Sequence, residues 1–247
     1  MQSPTVLKRT GPGLCGRFAL RAPAADWCQL FLPEIEPENL PAHFHEDPPR
    51  YNIAPTQTVT CIRRESSDSS RSAFKTRWGL LPSWAKELSI GNRMINARGE
   101  TIDSKPSFRK AFATRRCLIL MDGYYEWKKV ADGKQPYLIE SANNGLLAMA
   151  GLWEENSRVA NTPIQTCTII TTNANQTTSG LHHRMPVFLD PSNYDQWLDP
   201  GFQDPGPLKA LLKPASEDLL QMRAVSRRVN SPKHDDADCL LDDPKIK

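Results

Sequence analysis

Runs in which β-branched and aromatic residues alternate with polar ones predict strands over 58–62, 74–80, 117–121, 124–127, 137–140, 147–153 and 164–171. Helical spacing of apolar positions is confined to four short stretches, 24–30, 107–113, 193–198 and 207–212, the last with a proline placed for its first turn. Seven strands against four short helices predict an α+β fold: a single domain with a mostly antiparallel, barrel-like β core and short peripheral helices. The first helix should stop near Leu30 or Phe31, because Pro33 disfavours helical geometry in the residue before it. From 32 to 50 five prolines predict a long surface loop, and 66–72 reads as a polar hairpin loop. Residues 231–247 read as a polar tail, draped on the surface or frayed.

Composition narrows the class. With 39% hydrophobic and 24% charged residues in 247, the chain is neither disordered nor membrane-embedded by composition, and its 21 prolines leave little room for long helices. The net charge of +3 is too small to imply a nucleic-acid or membrane partner by itself. The longest apolar runs, 117–121 and 146–153, fall far short of the roughly 18 to 20 residues of a membrane span. The first residues also lack the apolar centre of a secretory signal. A cytoplasmic protein is expected, and the absence of an apolar surface helix or heptad pattern predicts a monomer. Six cysteines stand at 15, 28, 61, 117, 167 and 239, too widely spaced for a zinc finger or a thioredoxin-type pair. Cys61, Cys117 and Cys167 lie in strand-like runs and read as small hydrophobes; Cys15 does not fit that description.

Candidate chemistry concentrates in five segments: Cys15-Gly-Arg-Phe18, Tyr51-Asn-Ile-Ala-Pro55, the stretch from Arg77 to Ala85 with Ile95-Asn-Ala-Arg98, Asp122-Gly-Tyr-Tyr-Glu-Trp127, and His182-His-Arg-Met-Pro186. Glu126 lies among aromatics in a predicted strand. Alternation either turns it outward or buries it, and a buried carboxylate is costly unless paired or used. His182 and His183 follow a Ser-Gly turn and are either surface residues or proton carriers near neutral pH. His43, His45 and Glu46 lack a third ligand and read as loop residues, so no metal or other cofactor is predicted. Basic residues over 108–116 fit a charged helix face, whereas arginines beside aromatic rings also fit single-stranded nucleic acid.

In their order these segments, completed by Val225-Ser-Arg-Arg-Val-Asn230, resemble the SRAP family (SOS response-associated peptidase; abasic-site processing proteins) over about residues 15–230. The resemblance implies an SRAP-like domain that binds single-stranded DNA and captures an abasic site covalently through an N-terminal cysteine. It further implies that Cys15 is the nucleophile, that Glu126 shuttles protons, that His182 assists sugar ring opening and reversal, and that Asn96 hydrogen-bonds the reacting centre. Arg17, Arg98 and Arg184 would hold phosphates, while Pro55, Trp84 and Thr171 would shape the path of the strand.

The sequence departs from relatives in three places. Ala85 stands where some carry a second aromatic, and Pro106 stands where some carry a basic residue. Relatives begin Met-Cys-Gly-Arg, whereas residues 1–14 precede Cys15 here and read as a leader or a misassigned start, with Leu14 as the initiating codon or with cleavage before Cys15. The main alternative is an N-terminal-nucleophile amidohydrolase using the Cys15 thiol; a second is a non-covalent single-strand binder.

Overall fold

A computed structural model of the chain describes residues 16–243; Cys15 and the leader or start proposed for 1–14 lie outside the described residues. The β core consists of two sheets. The larger contains β3 (Thr58–Arg63), β4 (Ser72–Trp78), β6 (Arg116–Met121), β9 (Leu147–Asn156) and β10 (Ile164–Asn173), with the short strands β5 (Asn96–Arg98) and β11 (Arg184–Pro186) added to β10. Pairing runs β10–β4–β3–β6–β9 and returns from β9 to β10, so five strands close a ring and leave no open edge among themselves. The smaller sheet has the order β12 (Leu220–Ala224), β8 (Gly133–Ser141), β7 (Gly123–Val130), β1 (Phe18–Leu20) and β2 (Arg50–Ile53). Only the pairs of β10 with β4 and β5 are parallel; the others are antiparallel. The fold is therefore α+β with a mostly antiparallel, barrel-like core, as the pattern predicts.

Period-two alternation explains how the layers assemble. On β6, Cys117, Ile119 and Met121 join one core with Phe18, Trp78, Tyr124, Ile139 and Ile169, between the barrel and the smaller sheet. Leu118 and Leu120 point the other way, into a core covered by helices α1 (Ala24–Phe31), α3 (Arg109–Thr114), α5 (Tyr194–Leu198) and α6 (Pro205–Ala210). Cys61, Cys117 and Cys167 are fully buried in the first core, where burial pushes the Cys61 and Cys167 thiols up. They behave as the small hydrophobes expected.

All seven predicted strands exist, six extended by one to five residues and β4 shifted two residues earlier, and the four predicted helices exist with small shifts; α6 starts at Pro205, where Asp204 caps the Gly206 N–H. The proline-rich segment 32–50 is not wholly a loop. It carries the short helix α2 (Ala42–His45), so His43 and His45 are helical and exposed, and Phe44 anchors them to the core. The basic segment 108–116 also differs from a charged helix face. Arg116 is buried and donates to the carbonyls of Phe112 (2.7 Å), Ala113 (2.5 Å) and Trp197 (2.5 Å), closing the ends of α3 and α5, and burial lowers its pKa to about 10. Arg115 pairs with Glu154 at 2.5 Å.

The described part of the tail is neither frayed nor loose. Asn52, fully buried on β2, donates to the carbonyls of Val229, Ser231 and His234 at 3.2, 3.0 and 2.6 Å, while Asp235 accepts from the backbone N–H groups of Tyr51 and Asn52. Val225, Val229 and Cys239 then form a third core with Ala19, Tyr125 and Leu138 on the outer face of the smaller sheet. Among the described residues no helix is long and apolar enough to cross a membrane. Replacing Asn52 with alanine strands these carbonyls and is expected to cost about 2–3 kcal/mol in urea unfolding. Hydrogen exchange over 229–243 should rise at the same time; unchanged protection there would show that the tail holds without Asn52.

Candidate functional site

The candidate residues reach the core between the sheets from different strands. Phe18 pairs with Tyr124, and the ladder continues with the Tyr125 N–H donating to the Arg17 carbonyl at 3.0 Å, so the first described residues run beside Glu126. Glu126 follows Tyr124 by two positions on β7 and is 4% exposed, which settles its orientation: it is turned in, on the Tyr124 face. On the barrel side, β10 aligns Ile169 with Asn96, Thr171 with Arg98 and Asn173 with Arg184. Ile95, Ile169, Met185 and Leu181 pack in the same core as Phe18 and Tyr124. The residues beside Glu126, Asn96 and His182 thus converge on one cluster.

His182 is set by the turn before it. Asn175 caps α4 (Gln176–Ser179) by accepting the Thr178 N–H at 3.1 Å, and the Leu181 and His182 N–H groups both close onto the Thr178 carbonyl. The His182 Nδ1 then accepts the Arg184 backbone N–H at 3.0 Å; its approach to the Arg184 carbonyl, 3.4 Å, is the weaker of the two. A neutral ring that accepts at Nδ1 carries its proton on Nε2. Nε2 is buried and has no hydrogen-bond partner among the described residues, so it is a donor held ready for a ligand. Burial, the stacked His183 ring at 4.4 Å and the Arg184 charge hold the His182 pKa below the ordinary value, which keeps the ring neutral at pH 7.

The cationic and aromatic residues differ in their availability. Arg98 is exposed, with neither a hydrogen bond nor an ion pair recorded among the described residues. Arg17 is part-buried and donates to Asn52 Oδ1 (2.8 Å) and the Val229 carbonyl (2.9 Å), with its guanidinium 5.9 Å from the Trp127 ring centre. Arg184 is buried and doubly bonded to Glu100, with further bonds to Asn173 Oδ1 (3.0 Å) and the Thr171 carbonyl (2.6 Å). A phosphate reaching Arg184 must therefore share or displace Glu100, whose own pKa the Arg184 hydrogen bonds draw down. Thr171 is fully buried and donates to the Ala97 carbonyl at 3.3 Å, so it braces β5 from within.

Trp84 is half exposed. Its loop is pinned from below by the buried Asn156 side chain, which donates to the carbonyls of Pro82 (2.7 Å) and Ala85 (2.9 Å). Ala85 is fully buried, so only the tryptophan is offered outward. The approach to this loop is tight: a Cβ on Gly79, where φ is +124°, would sit 2.7 Å from the Gly91 carbonyl oxygen. Pro55 occupies a turn in which Gln57 N–H donates to the Ala54 carbonyl at 3.2 Å and Thr56 has φ of +78°. That is the position of a type II turn that glycine usually takes. Arg77, donating to the Thr56 carbonyl at 2.5 Å, helps to hold it there. Lys105 and Pro106 are both exposed. Among the described residues no group of three His, Cys, Asp or Glu side chains is placed to hold a metal ion.

Comparison with known proteins agrees with this arrangement. The family model described as SOS response associated peptidase (SRAP) matches residues 14–232. The chain belongs to the SRAP family. Within the family it is 41% identical over 223 residues to the abasic site processing protein YoqW of Bacillus subtilis, covering 90% of this chain and 96% of that one. It is 32% identical to the abasic site processing protein HMCES of Gallus gallus, over 78% of this chain and 66% of that one. Among solved structures, a Bacteroides thetaiotaomicron protein superposes with a TM-score of 0.79 at 24% identity over 93% of this chain and all of that chain, which shows a shared fold. A phage-related protein of Bordetella bronchiseptica gives 0.67 at 27% identity, over 85% of this chain and 94% of that one.

Three residues that support this SRAP site lie outside the candidate segments of the sequence: Glu100, Asn156 and Asp235 act by hydrogen bonds to partners 71 to 185 positions away. An NMR titration of the imidazoles should place the His182 midpoint below about 6.5, with the neutral proton on Nε2. Because the folded-state pKa is depressed, the ring's contribution to stability is complete above the unfolded value and is lost as pH falls through the folded one. A midpoint at or above the unfolded value would contradict the burial described.

Proposed function

We propose that this SRAP protein processes abasic sites in single-stranded DNA by forming a covalent DNA–protein cross-link through Cys15. The observation that carries the reading is that Glu126, a buried carboxylate, His182, a neutral Nε2–H donor, and Asn96 stand on segments whose neighbouring residues pack into one core, with the first described residues beside Glu126. The names of the relatives, abasic site processing proteins, support the substrate.

The chemistry needs a cysteine with a free α-amine. A ring-opened abasic sugar exposes an aldehyde. The amine adds to its carbon, water leaves, and an imine forms; the thiol then adds to the imine carbon while its proton passes to nitrogen, closing a five-membered thiazolidine. The net change is one aldehyde and one aminothiol joined with loss of one water, so no oxidant or metal enters the balance. An α-amine with a pKa of about 7.7–8.0 is partly neutral at cellular pH. In this scheme Glu126 takes and returns the protons of the amine and the departing hydroxyl, and His182 Nε2–H donates to the sugar oxygen during ring opening and reversal. Asn96 hydrogen-bonds the reacting centre.

Trp84, half exposed on its pinned loop, offers a face for a base, and Pro55 on its fixed turn bounds the strand's path, with Thr171 bracing β5 behind it. Arg98, Arg17 and Arg184 serve the phosphates, Arg184 by exchange with Glu100. Exposure of the Cys15 amine follows from initiation at Leu14 or from peptide-bond cleavage before Cys15, the latter being the peptidase activity in the family's name. The same reading places the protein in the cytoplasm at damaged DNA, acting as a monomer.

A denaturing gel of protein beginning at Cys15, mixed with single-stranded DNA containing one abasic site, should show a shifted band that intact DNA does not give. Glu126→Gln should slow its appearance by about 10²–10⁴-fold, and Cys15→Ala should abolish it. Trp84→Ala should weaken prior binding by about 1–3 kcal/mol and leave the rate at saturation nearly unchanged. A band that survives Cys15→Ala, or no band with the wild-type protein, would overturn the reading.

A further inference from the structure

The hairpin joining β7 and β8 carries charge that the fold itself does not use. Between Lys128 and Lys134 the chain reads Lys-Lys-Val-Ala-Asp-Gly-Lys, and all three lysines are exposed. Lys129 and Lys134 face each other directly across the ladder. Like charges in that position destabilise a strand pair, by about 0.2–1 kcal/mol. The only acid in the segment, Asp132, does not relieve them: it forms a two-pronged pair with Arg227 at 3.0 and 2.9 Å. None of the three lysines has an ion pair or a hydrogen bond among the described residues, whereas Arg223, Arg227 and Arg228 on the neighbouring segment are each paired with aspartates.

The position of this charge is informative. Lys128 lies on the Glu126 face of β7, two residues along, and Lys129 lies on the face of Trp127, the ring that the Arg17 guanidinium approaches. At about 3.3 Å per residue, Lys129 is about 10 Å along the strand from Glu126, well within the stretch of nucleic acid that a single-strand-binding surface engages. Trp127 is half-buried and fixed by its Nε1–H donating to Asn230 at 2.7 Å; beyond it the strand pair leaves both cores, so that Lys128 on one face and Lys129 and Lys134 on the other are exposed at the end of the hairpin.

We infer that the end of the β7–β8 hairpin, through Lys128, Lys129 and Lys134, is a docking surface for the phosphodiester backbone of the strand whose abasic site lies at Glu126. The inference rests on the proposed function and extends it to a second stretch of the same DNA. Each lysine that meets a phosphate releases a counterion, which makes the contribution readable in the salt dependence of binding. It also accounts for the unrelieved Lys129 and Lys134 pair, since a bound phosphate between them turns a repulsion into two attractions.

The test compares the full chain with the triple variant Lys128→Ala, Lys129→Ala, Lys134→Ala, using fluorescence anisotropy of a labelled single-stranded oligodeoxynucleotide across a potassium chloride series. The variant should bind about tenfold more weakly at low salt, and its plot of log K against log salt should be shallower by about 2, three contacts at about 0.7 each. Its melting temperature should be unchanged or slightly raised, because the like-charge pair is gone. Equal affinity and equal slope in the two proteins would overturn the inference alone and leave the lysines as a solubilising tip. Failure of the wild-type chain to bind the strand at any salt would overturn the inference together with the function on which it rests.

Discussion

The register of β10 is the constraint on which the rest depends. This strand pairs antiparallel with β9 and β11 and parallel with β4 and β5, so it closes the barrel and also fixes where two short segments, β5 and β11, lie. Both faces of β10 are buried, so a slip of one residue would exchange the sets facing the two cores, taking Ile169 from the side of Phe18 and Tyr124 and Ile170 from the side of the helices. The same slip would part Thr171 from Ala97 and Arg184 from the Thr171 carbonyl. Parallel pairing is unusual in a sheet that is otherwise antiparallel, and here it joins the segment carrying Asn96 and Arg98 to the same strand, β10, that also pairs with the Arg184 segment. The chemistry of the site is therefore held by backbone ladders of the barrel, which suits a reaction that requires several groups to be placed together before a bond forms.

Around that scaffold, polar groups are spent in two distinct ways. One set is buried and committed: Asn52 grips the tail, Asn156 pins the Trp84 loop, Arg116 closes two helices and Arg184 is held by the exposed Glu100. Such networks stabilise only when complete, and they give the site its rigidity. The other set is left available: the Nε2–H of His182, the Arg98 guanidinium and the half-exposed Trp84 ring. The distinction separates residues that position from residues that can meet a ligand. It also explains why Arg17 and Arg184, identical in type to Arg98, differ from it in what they can do without rearrangement.

The long strands were legible because each spends at least six residues alternating between two cores. The strands that build the site were not, because β1, β5 and β11 are three residues each, too short for a period to show, and β5 and β11 carry Arg, Asn and Pro rather than strand formers. Glu126 was visible as a candidate, but its orientation was open until the register of β7 turned it onto the Tyr124 face. The tail misled because a polar composition says nothing of a buried Asn52 waiting 177 to 182 residues upstream. The segment 108–116 misled for the opposite reason: Arg116 looks like surface charge in sequence and is spent on carbonyls in the interior. Motif order carried the family further than any local pattern did, since it records which residues must meet without saying how.

The central claim is that the α-amine of Cys15 and its thiol are both consumed in joining the protein to DNA. Intact mass spectrometry of the adduct between abasic single-stranded DNA and two proteins beginning at Cys15, one with a free amine and one N-acetylated, tests this most directly. The account predicts an adduct only with the free amine, at the summed masses less one water. An acetylated protein that captured the DNA equally well would contradict it.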